Sequence, residues 1–301
     1  MVTVEANAKI NLTLDILGKR PDGFHEVAMV MQSIGLHDTL TMEKTTGRIE
    51  LTINVPWLKA DEKNLAWRAA ELVRQEYGLE GGVRIELTKR IPIAAGLAGG
   101  SADAAAVLKG MNELYDLQMS TQKLCELGAR LGSDIPFCIM GGTMLATGRG
   151  EVLTRLSDMP ETWVVLAKPR ISVSTAWAYQ NYDEQGAERH PDNALVEEKI
   201  ISQDLKAMAP LLCNVLESVT IKKYDVIDRY KRLMMEKGAL VSMMSGSGPT
   251  VFGLMAKKSE ALRVAGFLRH VTKADVFVTR TSGCGTRFVQ GNVRRYKIKS
   301  E

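Results

Sequence analysis

A glycine-rich loop between a strand and a helix restricts the fold of this chain more than any other feature. Residues 83–89 alternate like a strand, and 101–115 are rich in alanine and leucine, which favours a helix. Three glycines stand between them, Gly96, Gly99 and Gly100, and glycine permits positive φ and close approach of the backbone to a ligand. The free N–H groups of the helix start would favour an anion there.

The loop matches neither of two common nucleotide motifs. No Gly-Lys-Ser/Thr closes it, so it is not a Walker A loop, and no G-x-G-x-x-G precedes the helix, so it is not a dinucleotide fingerprint. Ser101 stands where it can cap the helix, and it could also touch a phosphate or a metal-bound water. Taken alone, the stretch is as consistent with an ordinary strand-to-helix turn as with an anion site.

Length and composition indicate two globular domains. The chain has 301 residues, of which 45% are hydrophobic and 25% charged, and this length exceeds that of one ordinary domain. Strand-like runs and helix-like runs are mixed along the chain, which predicts an α+β fold. A turn-rich stretch at 141–150 ends the first half, and we place the boundary shortly after it, giving domains 1–158 and 159–301.

Local patterns predict the elements around the loop. Helical spacing over 64–77 is followed by Gly78, where a helix commonly ends. Alternation predicts separate strands over 25–36 and 39–43. Residues 286–301 carry several basic side chains without a recognisable pattern, and we expect them to form a solvated tail.

Charge and composition exclude several classes of protein. The net charge of +4 is spread along the chain, so nothing indicates a nucleic-acid partner. The four cysteines form no CxxC pair and the four histidines are far apart, which favours free thiols over a zinc site. Glu5, Lys9 and Asn11 interrupt any signal-peptide core, and no run is long and apolar enough to cross a membrane. We therefore expect a cytoplasmic protein without a membrane partner.

Three separated motifs resemble those of the GHMP kinase superfamily, in the order found there. They are 8–12 (AKINL), 92–105 (PIAAGLAGGSADAA) and 244–254 (MSGSGPTVFGL). The resemblance covers residues 2 to 285. It implies a two-domain α+β fold, with a ribosomal-S5-like N-terminal domain, a ferredoxin-like C-terminal domain and the active site in the cleft between them.

Further motifs narrow the expected substrate. Residues 19–26, 132–137 and 172–176 resemble members that use ATP, with Mg²⁺, to phosphorylate the 2-hydroxyl of 4-diphosphocytidyl-2-C-methyl-D-erythritol, a step towards isoprenoid precursors. Another GHMP kinase reaction, on mevalonate or phosphomevalonate for example, is the alternative, but those relatives lack the match at 23–25. A relative without catalysis is disfavoured because Lys9 is retained together with Asp134. We expect a monomer or a weak homodimer.

The resemblance implies that Asp134 is the general base and that Lys9 lies beside it. A base within reach of the attacking hydroxyl would take its proton, and a lysine there would neutralise charge on the transferring phosphoryl group. Without the resemblance, Asp134 would be read as a helix or turn cap. Lys9, in an otherwise apolar alternating strand, would be read as an edge-strand lysine.

The nucleotide is expected at the loop and the helix 64–77. Asn64 is otherwise a plausible N-cap, and Lys89 a strand-end lysine. The superfamily often has Ser where Ala102 stands, so Ser101 would hold phosphate or magnesium alone; we assign no metal ligand. The residues implied are Asn64, Leu65, Lys89, Pro92, Ile93, Ala94, Ala95, Gly96, Leu97, Ala98, Gly99, Gly100, Ser101 and Ala102.

The substrate is expected between the start of the chain and the second glycine turn. Phe24 stands where the resembling proteins usually have Tyr, so stacking on the cytosine would survive but any hydroxyl contact would not. Trp177 fits a core aromatic or a wall of the cytidine pocket. The residues implied are Asn11, Phe24, His25, Thr175, Trp177, Ser245, Gly246, Ser247 and Gly248.

Overall fold

Two β-sheets organise the chain in the computed structural model, which describes residues 1–289. Within that range one sheet has nine strands and the other four. The larger sheet contains β1 (Val2–Asn11), β2 (Thr13–Lys19), β3 (His25–Thr45), β4 (Glu50–Ile53), β5 (Gly82–Thr88), β6 (Thr143–Thr147), β7 (Val152–Arg155), β9 (Cys213–Asn214) and β13 (Thr286–Phe288). The smaller contains β8 (Trp163–Lys168), β10 (Val241–Met244), β11 (Val251–Met255) and β12 (Asp275–Arg280).

Helices cover both sheets. They are α1 (Leu65–Tyr77), α2 (Gly99–Tyr115), α3 (Thr121–Ala129), α4 (Ile135–Met140), α5 (Thr175–Gln185), α6 (Asn193–Ile201), α7 (Leu205–Met208), α8 (Glu217–Lys223), α9 (Asp225–Glu236) and α10 (Lys258–Val271). In the smaller sheet the strand order β10-β11-β8-β12, with α9 and α10 packed on it, is the arrangement of a ferredoxin-like fold. This is the fold expected for the C-terminal half.

Helix α2 packs closely on α1, β1 and β3 because its buried face is made of small residues. Ala102, Ala104, Ala105 and Ala106 have no exposed surface. At Gly110 an added Cβ would lie 2.0 Å from Met42 Cε, so that turn of the helix rests directly on a β3 side chain. The close packing fixes the start of α2, where the glycine loop delivers the chain.

One long strand replaces the two that alternation predicted over 25–36 and 39–43. Strand β3 continues through the gap, and its register with β1 shifts between the pairs Asn7↔His37 and Lys9↔Ser33. A β-bulge therefore bends the strand without ending it. The alternation breaks at this bulge, which explains why the pattern looked like two strands.

The helix predicted over 64–77 is confirmed, and the predicted cap of α2 is wrong. Asn64 Oδ1 accepts the Ala66 N–H at 2.9 Å, and Gly78 closes the helix with φ of 60°. Helix α2 instead begins two residues before Ser101, after Ala98 in a left-handed conformation that makes no side-chain cap. The reason is that Gly99 and Gly100 continue the helix rather than break it.

The predicted solvated tail is wrong at its beginning. Strand β13 pairs antiparallel with β1 through Val4↔Phe288, and the Arg287 guanidinium contacts the Glu5 carboxylate. The rest of the predicted tail, 290–301, lies outside the described residues. Such a short strand is added by pairing with an edge strand, which no local pattern shows.

The predicted boundary at 158 falls between β7 of the larger sheet and β8 of the smaller one. Strands β9 and β13, from the second half of the chain, complete the larger sheet. The division into 1–158 and 159–301 stays a prediction. Within residues 1–289, no helix combines the length and apolar character needed to cross a membrane.

Candidate active site

A cavity of about 1150 Å³ lies between the two sheets. Its walls come from β1, the glycine loop with the start of α2, the first turns of α5, and the turn between β10 and β11. Pockets for one small ligand commonly measure about 300–1,000 Å³. This cavity is slightly larger than that range.

The glycine loop owes its shape to three residues with positive φ, Ala94 (50°), Gly96 (75°) and Ala98 (56°). An L-residue other than glycine in this region costs roughly 1–2 kcal/mol. Backbone hydrogen bonds hold the loop in place, from Lys9 N–H to Leu97 O at 3.2 Å and from Thr250 N–H to Ala95 O at 3.4 Å. Strain of this kind persists where the surroundings fix it, and it is common at ligand sites.

The start of α2 has the features of an anion site. Its first backbone hydrogen bond runs from Ala102 N–H to Ala98 O at 2.9 Å. The N–H groups of Gly99, Gly100 and Ser101 precede that bond, and all three residues line the cavity. Free N–H groups at the positive end of a 17-residue helix attract a phosphate.

The second glycine turn, residues 245–248, packs against the first loop. A Cβ added at Gly96 would lie 2.1 Å from Ser245 O, so only glycine permits this approach. Ser245 Oγ donates to Gly96 O at 2.9 Å. The two turns are thereby joined, one from each sheet.

Lys9 and Asp134 meet at this junction. Lys9 is buried, and its Nζ donates to Asn11 Oδ1 at 2.8 Å and to Gly96 O at 3.2 Å. The third neighbour of Nζ is Asp134 Oδ2 at 3.8 Å. These contacts compensate a charge that would otherwise be expensive to bury.

The carboxylate of Asp134 is available for chemistry. It precedes α4 but caps no N–H of that helix, and about a third of its side chain (32%) is exposed to the cavity. The Lys9 ammonium lies 3.8 Å from it. A cavity-facing carboxylate beside a fixed cation can accept a proton from a bound alcohol.

The far end of the cavity is aromatic. Phe24 is half exposed, and the Arg149 guanidinium lies 5.0 Å from its ring centroid. The His25 ring lies 5.0 Å from that of Tyr179, and its Nε2 is 2.6 Å from Asp183 Oδ1. The hydrogen bond with His25 lowers the pKa of Asp183. Rings in such an arrangement can stack on a base.

Three of these residues were missed by sequence reasoning. Tyr179 and Asp183 follow Thr175 at intervals of four, so all three lie on one face of α5. Helical spacing from the 172–176 motif could have indicated that face. Arg149 lies in a turn after β6 and carries no comparable signal.

The glycine-loop end of the cavity contains a buried cluster of titratable side chains. Lys89 Nζ lies 2.5 Å from Asp38 Oδ2 and 2.7 Å from Asp103 Oδ2. The Lys89 ammonium is thus committed to the side chains of Asp38 and Asp103, although the residue lines the cavity. Burial raises the pKa of Asp103 well above its ordinary value, and its Oδ1 has no partner within residues 1–289.

Most of the predicted site residues line this one cavity. Those that do are Lys9, Asn11, Phe24, His25, Asn64, Leu65, Lys89, Pro92, Ile93, Ala94, Ala95, Gly96, Ala98, Gly99, Gly100, Ser101, Asp134, Thr175, Gly246, Ser247 and Gly248. Four do not: Leu97, Ala102 and Ser245 are buried behind the two turns, and Trp177 packs against Tyr224 and under the Lys223 ammonium, 4.0 Å from its ring.

Comparisons with known families agree with this architecture. Residues 64–142 match the GHMP kinases N terminal domain, and residues 196–273 match the GHMP kinases C terminal domain. A crystal structure of homoserine kinase from Cytophaga hutchinsonii superimposes with a TM-score of 0.76 at 20% identity, covering 96% of this chain and 97% of that one. This likeness concerns the fold alone. The fold is that of a GHMP kinase, as the motifs predicted.

Proteins with higher sequence identity show which family of GHMP kinases includes this chain. The 4-diphosphocytidyl-2-C-methyl-D-erythritol kinase of Acetivibrio thermocellus is 47% identical over 93% of this chain and 99% of its own length. The enzyme of the same name from Macrococcus caseolyticus is 49% identical over 94% of this chain and 100% of its own length. A crystal structure of 4-(cytidine 5'-diphospho)-2C-methyl-D-erythritol kinase superimposes with a TM-score of 0.81 at 31% identity, covering 93% of this chain and 99% of that one. The chain belongs to the 4-diphosphocytidyl-2-C-methyl-D-erythritol kinase family.

Proposed function

We propose that the protein transfers the γ-phosphoryl group of ATP to the 2-hydroxyl of 4-diphosphocytidyl-2-C-methyl-D-erythritol. The pairing of Lys9 with Asp134 carries the proposal, because it lies where the anion site at α2 meets the remainder of the cavity. A phosphoryl donor on one side and an alcohol on the other would meet at this pair. Relatives at 47% and 49% identity bear the name of this kinase, which disfavours mevalonate or phosphomevalonate as the substrate.

The donor half of the cavity would hold ATP through backbone groups. The N–H groups at the start of α2 bind the phosphates, and the fixed glycine loop needs no rearrangement to do so. Asn64 and Leu65, at the start of α1, would border the base. Phosphoryl transfer depends mainly on positioning and on charge stabilisation, and this half provides both.

The acceptor half would hold the cytidine end. Phe24 and Tyr179 offer aromatic faces for stacking, and the contact with Asp183 orients the His25 ring. Thr175 Oγ1 lies 2.9 Å from Ser247 Oγ, which connects α5 to the second glycine turn. The methylerythritol hydroxyl would then lie near Asp134.

In the reaction Asp134 accepts the proton of the attacking 2-hydroxyl. The Lys9 ammonium stays hydrogen-bonded to Asn11 and Gly96 and offsets negative charge that develops on the transferring group. Because three contacts fix this ammonium, no reorganisation is needed in the transition state.

The donor set fits Mg²⁺ that arrives with the nucleotide. Within the described range no three His, Cys, Asp or Glu side chains form a metal site of their own. Magnesium bound with phosphates takes one or two protein oxygens and keeps several waters. Ser101, which lines the cavity at the start of α2, would supply one such oxygen. When bound, the ion neutralises charge on the phosphates.

We further propose that the protein works in the cytoplasm, as a monomer or a weak homodimer, without a nucleic-acid partner. The four cysteines are free thiols, which suits a reducing compartment.

ADP release with a panel of alcohols tests the proposal. The protein is incubated with Mg-ATP and either 4-diphosphocytidyl-2-C-methyl-D-erythritol, mevalonate, phosphomevalonate or homoserine. We expect turnover only with the first compound. Equal rates with and without it, at the background ATPase level, would refute the assignment.

A further inference from the structure

The second glycine turn is held from behind by a buried asparagine. Asn214 lies in β9 and is 3% exposed. Its Nδ2 donates to Met244 O at 2.9 Å and to Gly246 O at 2.8 Å, while its Oδ1 accepts from Leu216 N–H at 3.0 Å. With both amide hydrogens and the amide oxygen engaged, the side chain has one orientation only.

This contact fixes the peptide between Gly246 and Ser247. Gly248 N–H donates to Ser245 O at 2.9 Å, and Gly246 has φ of 56°, as at the first central position of a type II′ turn. In a trans peptide the C=O and N–H groups point in opposite directions. Because Gly246 O is directed at Asn214, the Ser247 N–H is directed away from it.

The side away from Asn214 is the cavity, which Gly246 and Ser247 both line and Asn214 does not. Within residues 1–289 the Ser247 N–H has no backbone acceptor. A Cβ added at Gly246 would lie 3.4 Å from Lys9 Nζ, so this peptide borders the reaction centre.

A second contact stiffens the same support. Glu217 Oε1 accepts the Met244 N–H at 2.7 Å, and its Oε2 lies 2.5 Å from Lys231 Nζ. Asn214 is itself fixed by strand pairing, opposite Leu14 of β2. These contacts hold the turn in place. Asn214 is the residue that determines the direction of its central peptide.

We propose that Asn214 is a positioning residue of the active site, which aims the Ser247 N–H at a phosphate oxygen of the bound substrates. The inference rests on the proposed function and deepens it, since a fixed backbone donor next to Lys9 would stabilise charge as it develops. Without the amide, the Gly246 carbonyl loses the contact that orients the Gly246–Ser247 peptide, and the Ser247 N–H is no longer held towards the cavity.

Two variants of Asn214 test this role. Asn214→Ala removes the amide, and Asn214→Asp keeps its shape but has no N–H to donate. A matched control is Asn7→Ala, since Asn7 is also buried, its Nδ2 donates to Ser282 Oγ at 3.0 Å and Cys284 O at 2.9 Å, and none of these three residues lines the cavity. The kcat, the KM for each substrate and the melting temperature are measured for all three variants.

We expect kcat to fall about 10- to 100-fold in both Asn214 variants, with KM for ATP changed less than about threefold. The carboxyl group introduced by Asn214→Asp regains an O–H donor when it is protonated, and burial favours that form. The kcat of this variant relative to the unaltered protein should therefore recover as the pH is lowered from about 8 to 6. The melting temperature of Asn7→Ala should fall about as much as that of the Asn214 variants, whereas its kcat should stay within about twofold of that of the unaltered protein.

Two results would overturn the inference: kcat within about threefold in the folded Asn214 variants, or an equal loss of kcat in Asn7→Ala. If Asn214→Ala melts below the assay temperature, the pH dependence of Asn214→Asp decides, and a flat ratio contradicts the role. Failure of the proposed function is a separate outcome, namely no turnover of 4-diphosphocytidyl-2-C-methyl-D-erythritol by the unaltered protein. The kcat ratios are then taken with whichever alcohol of the panel releases ADP fastest.

Discussion

Replacing Gly96 by alanine should damage both stability and catalysis, because the two glycine turns touch at this residue. The new Cβ would lie 2.1 Å from Ser245 O, whereas real Cβ atoms essentially never come closer than 3.0 Å. The turns must therefore separate by about 1 Å, and a misplacement of this size costs on the order of 100-fold in rate. The φ of 75° adds a backbone penalty.

The expected loss of stability is about 2–5 kcal/mol, from roughly 1–2 kcal/mol for a left-handed alanine and about 1–3 kcal/mol for overpacking. Gly266→Ala is the matched control, since this glycine lies inside α10 and an added Cβ would have no neighbour within 4 Å among residues 1–289. It should stabilise the protein by about 0.5–1 kcal/mol and leave kcat unchanged.

Urea unfolding and steady-state kinetics measure both effects. The variants are compared with the unaltered protein at one temperature where all are folded. The reasoning would be refuted if Gly96→Ala unfolded at the same urea concentration as Gly266→Ala with kcat within about threefold of the original.

Three further outcomes follow from particular contacts. Lys9→Met should lower kcat by about 100-fold or more with little change in ATP dissociation, because Asp134 loses its cation; an unchanged kcat would contradict the role of Lys9. Asn64→Ala should cost about 1 kcal/mol of unfolding free energy through the lost N-cap of α1, measurable by urea melts, and no loss would contradict that cap. Burial raises the pKa of Asp103 above 3.8, so the folded state keeps a proton that the unfolded chain releases. The free energy of unfolding therefore falls as the pH rises above about 4. Asp103→Asn cannot release this proton, so in urea melts its free energy of unfolding relative to that of the unaltered protein should increase with pH, and a constant difference would contradict the raised pKa.

Much of the site could be predicted from sequence because its parts are local. The glycine loop can be recognised from its composition. The N-cap at Asn64 and the end of α1 at Gly78 depend only on residues nearby in the sequence. The adjacency of Lys9 and Asp134 is different. It rests on a resemblance, since no local pattern brings residues 125 positions apart to a distance of 3.8 Å.

What the sequence could not show depends on tertiary pairing. The bulge in β3, the edge strand β13 and the two-residue β9 exist because a neighbouring strand offers hydrogen bonds. Trp177 could be read as core or as pocket wall, and its packing on Tyr224 could be learned only from the fold. The contacts of Lys89 with Asp38 and Asp103 could not be predicted either, because they also depend on the fold.

The position of the transferred phosphate tests the central claim most directly. The protein is incubated with Mg-ATP and 4-diphosphocytidyl-2-C-methyl-D-erythritol, and the product is examined by phosphorus NMR, with Asp134→Asn in parallel. We predict a new phosphomonoester on the 2-hydroxyl, formed by the unaltered protein and slowed by orders of magnitude in the variant. A phosphate on another hydroxyl, or equal formation by Asp134→Asn, would contradict the account.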